Sequence, residues 1–294
     1  MSYKWSISIY IFFNAQDIMF AAELLRNTEE QLNQMAISNK NKFWIFAPHP
    51  DDEILGTGGL IAKYPEKFFV VCITDGGGST SFSVKSDAER EELVRLRIED
   101  DLVGLRLLGF NNYFFMNYPE VKSEKHRNSA KEIIKSLIKN GTPEKIFIPS
   151  PYESEKEVKT HRITTEIIVE CIRELKNEGA NPQLYGYEVW DEIPRGPRMI
   201  IEDISDLIDL IKAAMTAHKT EKNIDFIRLK EARAKIVAVT MENKPDRFGY
   251  GEKYLDMTDI LKTDVSLDEY CRLRRPLGYS FSIGISMEGI AVHA

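Results

Sequence analysis

The stretch Phe43-Trp44-Ile45-Phe46-Ala47-Pro48-His49-Pro50-Asp51-Asp52-Glu53-Ile54-Leu55-Gly56-Thr57-Gly58-Gly59 decides how the rest of the chain is read. Its first five residues are a short apolar run of aromatic and β-branched side chains, the composition of a buried strand. Two prolines then stiffen the turn, because each fixes its own backbone angle and restricts the residue before it. An imidazole and three carboxylates follow within residues 49–53. Like charges raise one another's pKa, so a cation is the natural compensator of such a cluster. His49 and Asp52 can converge on one ion, while Asp51 between them points elsewhere and stays free to handle protons. Acids in a first turn also favour the helix dipole. That simpler reading accounts for one or two of the carboxylates but leaves His49 unexplained. The glycines that follow let backbone approach a ligand closely.

Outward from this turn, short apolar runs alternate with helical stretches. Phe43 to Ala47, Phe68 to Ile73, Tyr113 to Met116, Lys145 to Ile148 and Leu184 to Val189 read as strands. Between them Val94, Ile98, Leu102 and Leu105 keep one helical face, as do Ile133 and Leu137, and Ile163, Ile167, Cys171 and Leu175. Repeated strand and helix predict an α/β fold, Rossmann-like, with a mostly parallel sheet covered by helices on both faces. Functional groups in such sheets gather at the carboxyl ends of strands, which is where His49 stands. Two more helices are expected near Ser205 to His218 and Ile224 to Met241, with Pro245, Gly249 and Gly251 marking a loop. Asp17 to about Ala36 reads as an amphipathic N-terminal helix, and Phe281 to Val292 as a terminal hairpin. The expected organisation is a helical appendage over 1–41, a catalytic domain over 42–257 and an extension over 258–294 packed on that domain.

Composition narrows the function. The 294 residues carry 39 basic and 46 acidic side chains, a net charge of −7, with no long basic run. Nucleic-acid binding is disfavoured, since it needs a positive stripe that releases counterions. The three cysteines are far apart, so neither a disulfide framework nor a thiolate metal site is indicated. The apolar run from Ile7 to Phe13 is too short to span a bilayer, and the expected setting is a cytoplasmic one.

The run Pro48-His49-Pro50-Asp51-Asp52-Glu53 followed by Leu55-Gly56-Thr57-Gly58-Gly59 resembles the signature of the LmbE-like, or PIG-L, N-deacetylase superfamily. Further landmarks agree in order. Thr74-Asp75-Gly76 follows the second strand, and Arg97 and Asp100 precede Leu108-Gly109. Ala217-His218-Lys219-Thr220-Glu221 follows Glu202-Asp203-Ile204-Ser205. The resemblance runs from about Phe43 to Met257. It implies a zinc-dependent hydrolase, other divalent metals remaining open, that removes the acetyl group from an N-acetylated amino sugar, commonly an N-acetylglucosaminyl conjugate. Carried over, His49 and Asp52 become metal ligands, Asp51 the general base and His161 the third ligand. His126 competes for that place but comes one strand too early. Three protein ligands with an open position are the pattern of catalytic zinc. The implied partner is a small-molecule amino-sugar conjugate, and homo-oligomer formation is left open.

The chain also departs from that pattern. Many members carry His-Pro-Asp-His where this sequence has Val158-Lys159-Thr160-His161, so the first histidine is replaced by Val158. Asp51 or His218 must then protonate the leaving amine, although His218 shares an apolar stripe with Ile211 and Met215 and reads equally as a buried core histidine. Glu153, Glu155 and Glu157 read as a solvated acidic loop, and Gly76 to Gly78 with the serines beyond as a flexible loop at the mouth. Tyr152 is a candidate donor to an oxyanion, and Arg97 with Asp100 either a substrate clamp or a helix-surface pair. Two rival functions remain. One is a carbohydrate-binding or scaffold protein that keeps the metal but has impaired catalysis. The other is a mononuclear iron oxygenase, because two histidines and a carboxylate also form a facial triad.

Overall fold

The computed structural model describes residues 41–78, 83–119, 121, 123–153, 159–194, 198–221, 225–239 and 249–274. The expected N-terminal helix, the terminal hairpin and Val158 lie outside the described residues. The strands are β1 (Phe43–Ala47), β2 (Phe68–Thr74), β3 (Tyr113–Tyr118), β4 (Lys145–Pro149), β5 (Gln183–Tyr187), β6 (Met199–Asp203) and β7 (Gly251–Asp256). They form one sheet in the order β3-β2-β1-β4-β5-β7-β6. The first five run parallel, with Phe43 beside both Phe68 and Lys145, and β7 pairs antiparallel with β5 and β6. The α/β expectation therefore holds, with an antiparallel edge added to it.

The helices are α1 (Asp52–Lys63), α2 (Asp87–Leu107), α3 (Glu124–Gly141), α4 (Lys159–Leu175), α5 (Ile208–Thr216), α6 (Phe226–Val239) and α7 (Leu267–Arg274). Alternation along the strands sends side chains to two separate cores. Ile45, Val70 and Cys72 pack with α1, α2, α5 and α6 on one face. Trp44, Phe46, Phe69 and Val71 pack with α3, α4 and α7 on the other. Leu267 and Tyr270 of α7 are buried in that second core. Across it, Arg127, Lys131, Lys135 and Lys139 of α3 face Glu170, Glu174 and Glu178 along α4 and its end, with closest pairs of 2.6–2.7 Å. Exposed pairs of this kind contribute little one by one, and more when joined in a ladder.

Two features correct the sequence reading. Gly251 opens strand β7 instead of closing a loop. Within that strand Glu252 and Lys253 are 4% and 5% exposed, each paired with a buried partner of opposite charge. The glycines of α1 also serve packing. A Cβ on Gly56 would stand 2.2 Å from the Tyr187 ring, and one on Gly59 2.2 Å from Ile204 and 2.7 Å from the Glu252 carboxylate. Small residues there let α1 lie close to the sheet.

Candidate metal centre and catalytic cleft

Strand order reverses between β1 and β4, since β2 flanks β1 on one side and β4 flanks it on the other. Crevices at such reversals are where α/β sheets bind ligands. The turn after β1 supplies His49 and Asp52, and the first turn of α4, after β4, supplies His161. His49 Nδ1 and His161 Nε2 are 3.2 Å apart, and each lies 3.1 Å from Asp52 Oδ2. Donors about 2.0–2.2 Å from a tetrahedral ion are separated by roughly 3.3–3.6 Å. Lone-pair donors from three side chains, turned on one point at nearly that spacing, fit a divalent cation, and the three form a potential metal-holding group. His161 is fully buried.

Charge in the cluster is uneven for physical reasons. Burial alone would raise Asp52, but His161 and His49 outweigh it and hold its carboxyl well below the usual range. Burial likewise opposes charge on His161, but Asp52 and Glu153 push its imidazole up to about 10. Asp51 goes the other way. Burial pushes it up to about 6, with Arg97 opposing and Asp52 adding to the rise. A carboxylate poised there suits proton transfer near neutral pH. Its backbone has a φ of 131°, outside the comfortable range for a residue with a Cβ, and such strain clusters at functional sites. Although Asp51 occupies the N-cap of α1, its side chain makes no capping bond. The capping explanation therefore does not account for it.

Arg97 holds Asp51. Its Nη2 donates to Asp51 Oδ2 and to the Pro50 carbonyl, both at 3.1 Å, and the guanidinium also pairs with Glu221. This corrects the expected Arg97 and Asp100 pair, because Asp100 instead accepts from the backbone N–H and hydroxyl of Thr220 at 2.8 Å. Helix phase explains it. Residues 97 and 101 are one turn apart and face inward, while Asp100 sits to the side.

His218 is buried, with Nε2 3.2 Å from Asp101 Oδ1. It shares a cleft with Asp51, walled by Leu55, Met215 and Phe226, and Trp190 packs on Phe226 at 5.7 Å between rings. Burial pushes Asp101 up to about 7, and Glu53 lies against it with its own carboxyl raised well above the ordinary range by burial and by Asp101. A carboxyl raised by folding contributes stability that is present below about pH 4 and lost as pH climbs through 7. Asp101→Asn is thus expected to gain stability relative to wild type between pH 4 and pH 8 in urea unfolding. A constant difference between the two proteins would contradict the assignment.

Other expectations fall elsewhere. His126 sits in the first turn of α3 with its ring against Tyr118, apart from the His49, Asp52 and His161 group. Tyr152 packs partly buried against the α3 and α4 core. Gly77 is tied to Asp75, which Arg90 grips at 2.6 Å, and residues 79–82 lie outside the described set. The largest surprise is Glu153, read as solvated and found 3% exposed beside His161. Its place just after the end of β4 was the available signal. Among the described residues no helix is long and apolar enough to cross a membrane.

Comparison with known proteins gives the following. Residues 44–172 match the family model PIG-L, described as GlcNAc-PI de-N-acetylase. The chain is 24% identical over 238 residues to diacetylchitobiose deacetylase of Thermococcus kodakarensis, covering 77% of this chain and 86% of that protein. The structure of N,N'-diacetylchitobiose deacetylase from Pyrococcus horikoshii, complexed with its inhibitor MPG, superposes with a TM-score of 0.60 at 22% identity, over 89% of this chain and 100% of that one. GalB, the 4-carboxy-2-hydroxymuconate hydratase from Pseudomonas putida KT2440, gives a TM-score of 0.60 at 17% identity, over 74% and 96%. The resemblance to the LmbE-like, PIG-L superfamily and its fold is borne out.

Proposed function

Starting from the PIG-L family match over residues 44–172, we propose that this chain is a divalent-metal-dependent hydrolase. Its substrate class is an N-acetylated amino sugar, an N-acetylglucosaminyl conjugate, from which it removes the acetyl group. His49, Asp52 and His161 hold the ion, and their mixed imidazole and carboxylate donors suit zinc. Bound there, it supplies the charge that acidifies a water molecule and polarises the acetamide carbonyl. Asp51 is the general base. Arg97 anchors its Oδ2, so the carboxylate meets the water in one orientation.

Water oxygen adds to the acetamide carbon and its proton passes to Asp51. The C–N bond then breaks and the proton returns to the departing nitrogen, giving acetate and a free amine. His218, across the cleft and oriented by Asp101, is the second group placed to assist the leaving amine where the sequence has Val158. Leu55, Met215 and Phe226 form the apolar wall against which a sugar face rests. We assign the catalytic domain to 42–257, with Ile260, Leu261, Leu267 and Tyr270 packed into its second core.

The observation that carries this reading is the set of three donor atoms within 3.2 Å of one another at the strand-order reversal, with a separately buried Asp51 beside them. Fold alone does not choose the chemistry, since a hydratase shares it. The family and the curated relative, both named for deacetylation, favour hydrolysis. The test is a screen of N-acetylated sugar conjugates for acetate and free amine, run anaerobically with zinc and with chelator. Release that needs zinc, and returns to baseline with chelator, is the expected result. No release from any conjugate would favour the scaffold reading, and a requirement for iron and oxygen would favour the oxygenase.

A further inference from the structure

We infer that Glu153 is a positioning residue that fixes the ring tautomer of His161, and so turns that ring into a metal ligand. The inference rests on the metal-site reading above and adds a group to it that lies outside the ligand set. Glu153 follows β4 and is 3% exposed. Its Oε1 accepts from the backbone N–H of Val189, Trp190 and Asp191 at 2.9, 3.1 and 3.3 Å, and its Oε2 accepts from Trp190 at 3.1 Å. Oε2 also lies 3.4 Å from His161 Nδ1.

Two consequences follow from that geometry. Several backbone donors from one loop hold the Glu153 side chain in a single orientation, with both of its oxygens acting as acceptors. Among the described residues His161 Nδ1 makes no closer hydrogen bond, so this carboxylate at 3.4 Å is the acceptor that favours Nδ1–H over Nε2–H. In the neutral ring that a bound cation would require, the lone pair is then left on Nε2, the nitrogen that faces Asp52 and His49. Histidines that bind metals are commonly set this way by a carboxylate on the far side of the ring. The same carboxylate anchors the loop carrying Trp190, whose ring packs on Phe226 at the cleft wall. Arg233 grips that loop from its other side through the carbonyls of Val189 and Trp190.

Glutamine at this position separates a tautomer-setting role from a mere loop anchor. Its carbonyl oxygen still accepts from the loop N–H groups, but its NH₂ faces His161 and favours the lone pair on Nδ1, which leaves Nε2 protonated towards the ligand set. The experiment compares wild type, Glu153→Gln and Glu153→Ala. Zinc affinity is measured by competition with a chromophoric chelator, and thermal stability without added metal is measured alongside. We expect Glu153→Gln to bind zinc 10- to 100-fold more weakly at near wild-type stability, and Glu153→Ala to lose both affinity and stability. Nitrogen-15 NMR of the zinc-loaded wild type should show the His161 proton on Nδ1, a measurement that stands even if the variants fail to fold. Equal zinc affinity in wild type and Glu153→Gln, or a His161 proton on Nε2, overturns this inference alone. A wild type that takes up no zinc overturns the metal-site reading together with it.

Discussion

Asparagine in place of Asp51 is expected to lower turnover by about 10²- to 10⁴-fold, the usual contribution of general acid-base catalysis, with zinc uptake unchanged. In the proposed site Asp51 is adjacent to a ligand but is not one. The donor triangle is His49, Asp52 and His161. The amide is nearly isosteric with the carboxylate, keeps an oxygen for Arg97, and tolerates positive φ better than most residues, so the turn should keep its shape. What it loses is the capacity to take a proton. The loss should appear in kcat and far less in KM, because the base acts on the attacking water and not on the resting sugar. Steady-state kinetics and a zinc titration of the same preparation check both halves. Full turnover in the variant would mean another group deprotonates the water, with His218 the next to examine.

The second large effect concerns stability. Glu252 is the meeting point of three elements. From β7 its carboxylate accepts the backbone N–H groups of Gly59 and Leu60 in α1 at 2.8 and 3.3 Å, the Lys230 ammonium of α6 at 2.5 Å and the Tyr254 hydroxyl at 2.5 Å. Removing one partner of a buried ion pair costs about 3–5 kcal/mol, because the other charge stays behind without compensation. Glu252→Ala strands Lys230 and two helix amides together, so the upper part of that range is expected. Lys230→Met removes one of four donors to Glu252 and leaves an apolar chain in the ammonium's place, so the lower part is expected for it. Urea unfolding of both variants measures the order, and a milder loss for Glu252→Ala than for Lys230→Met would show that the hub assignment is wrong.

Much of this was legible in the sequence. Phe43 to Ala47 reads as a strand because its period and composition are local properties, and the following Pro-His-Pro-Asp-Asp-Glu run carries its chemistry in residue type. The parallel half of the sheet is readable for the same reason. What escaped depends on partners distant in sequence. Glu252 and Lys253, for which the local sequence offered no reading, are held inside by Lys230 and Glu188 brought to them across the fold. Glu153 looks like part of an acidic loop until the Val189 to Asp191 amides close on it. Arg97 reaches Asp51 from 46 residues away, whereas the sequence offered Asp100, its near neighbour, as the natural mate. A charged residue's burial is decided by what comes to meet it, which no short window of sequence contains.

The reversal of strand order gives the ligand triangle a mechanical meaning as well. His49 and His161 stand 112 residues apart along the chain, one on each half of the parallel sheet. An ion held by both, as proposed, would work as a removable clasp between those halves, shutting a long loop much as a covalent crosslink would. Because only the assembled halves present all the donors, occupancy and architectural integrity would rise and fall together. Starvation for the ion would on this account loosen the seam down the middle of the sheet, well beyond the crevice where the ion sits.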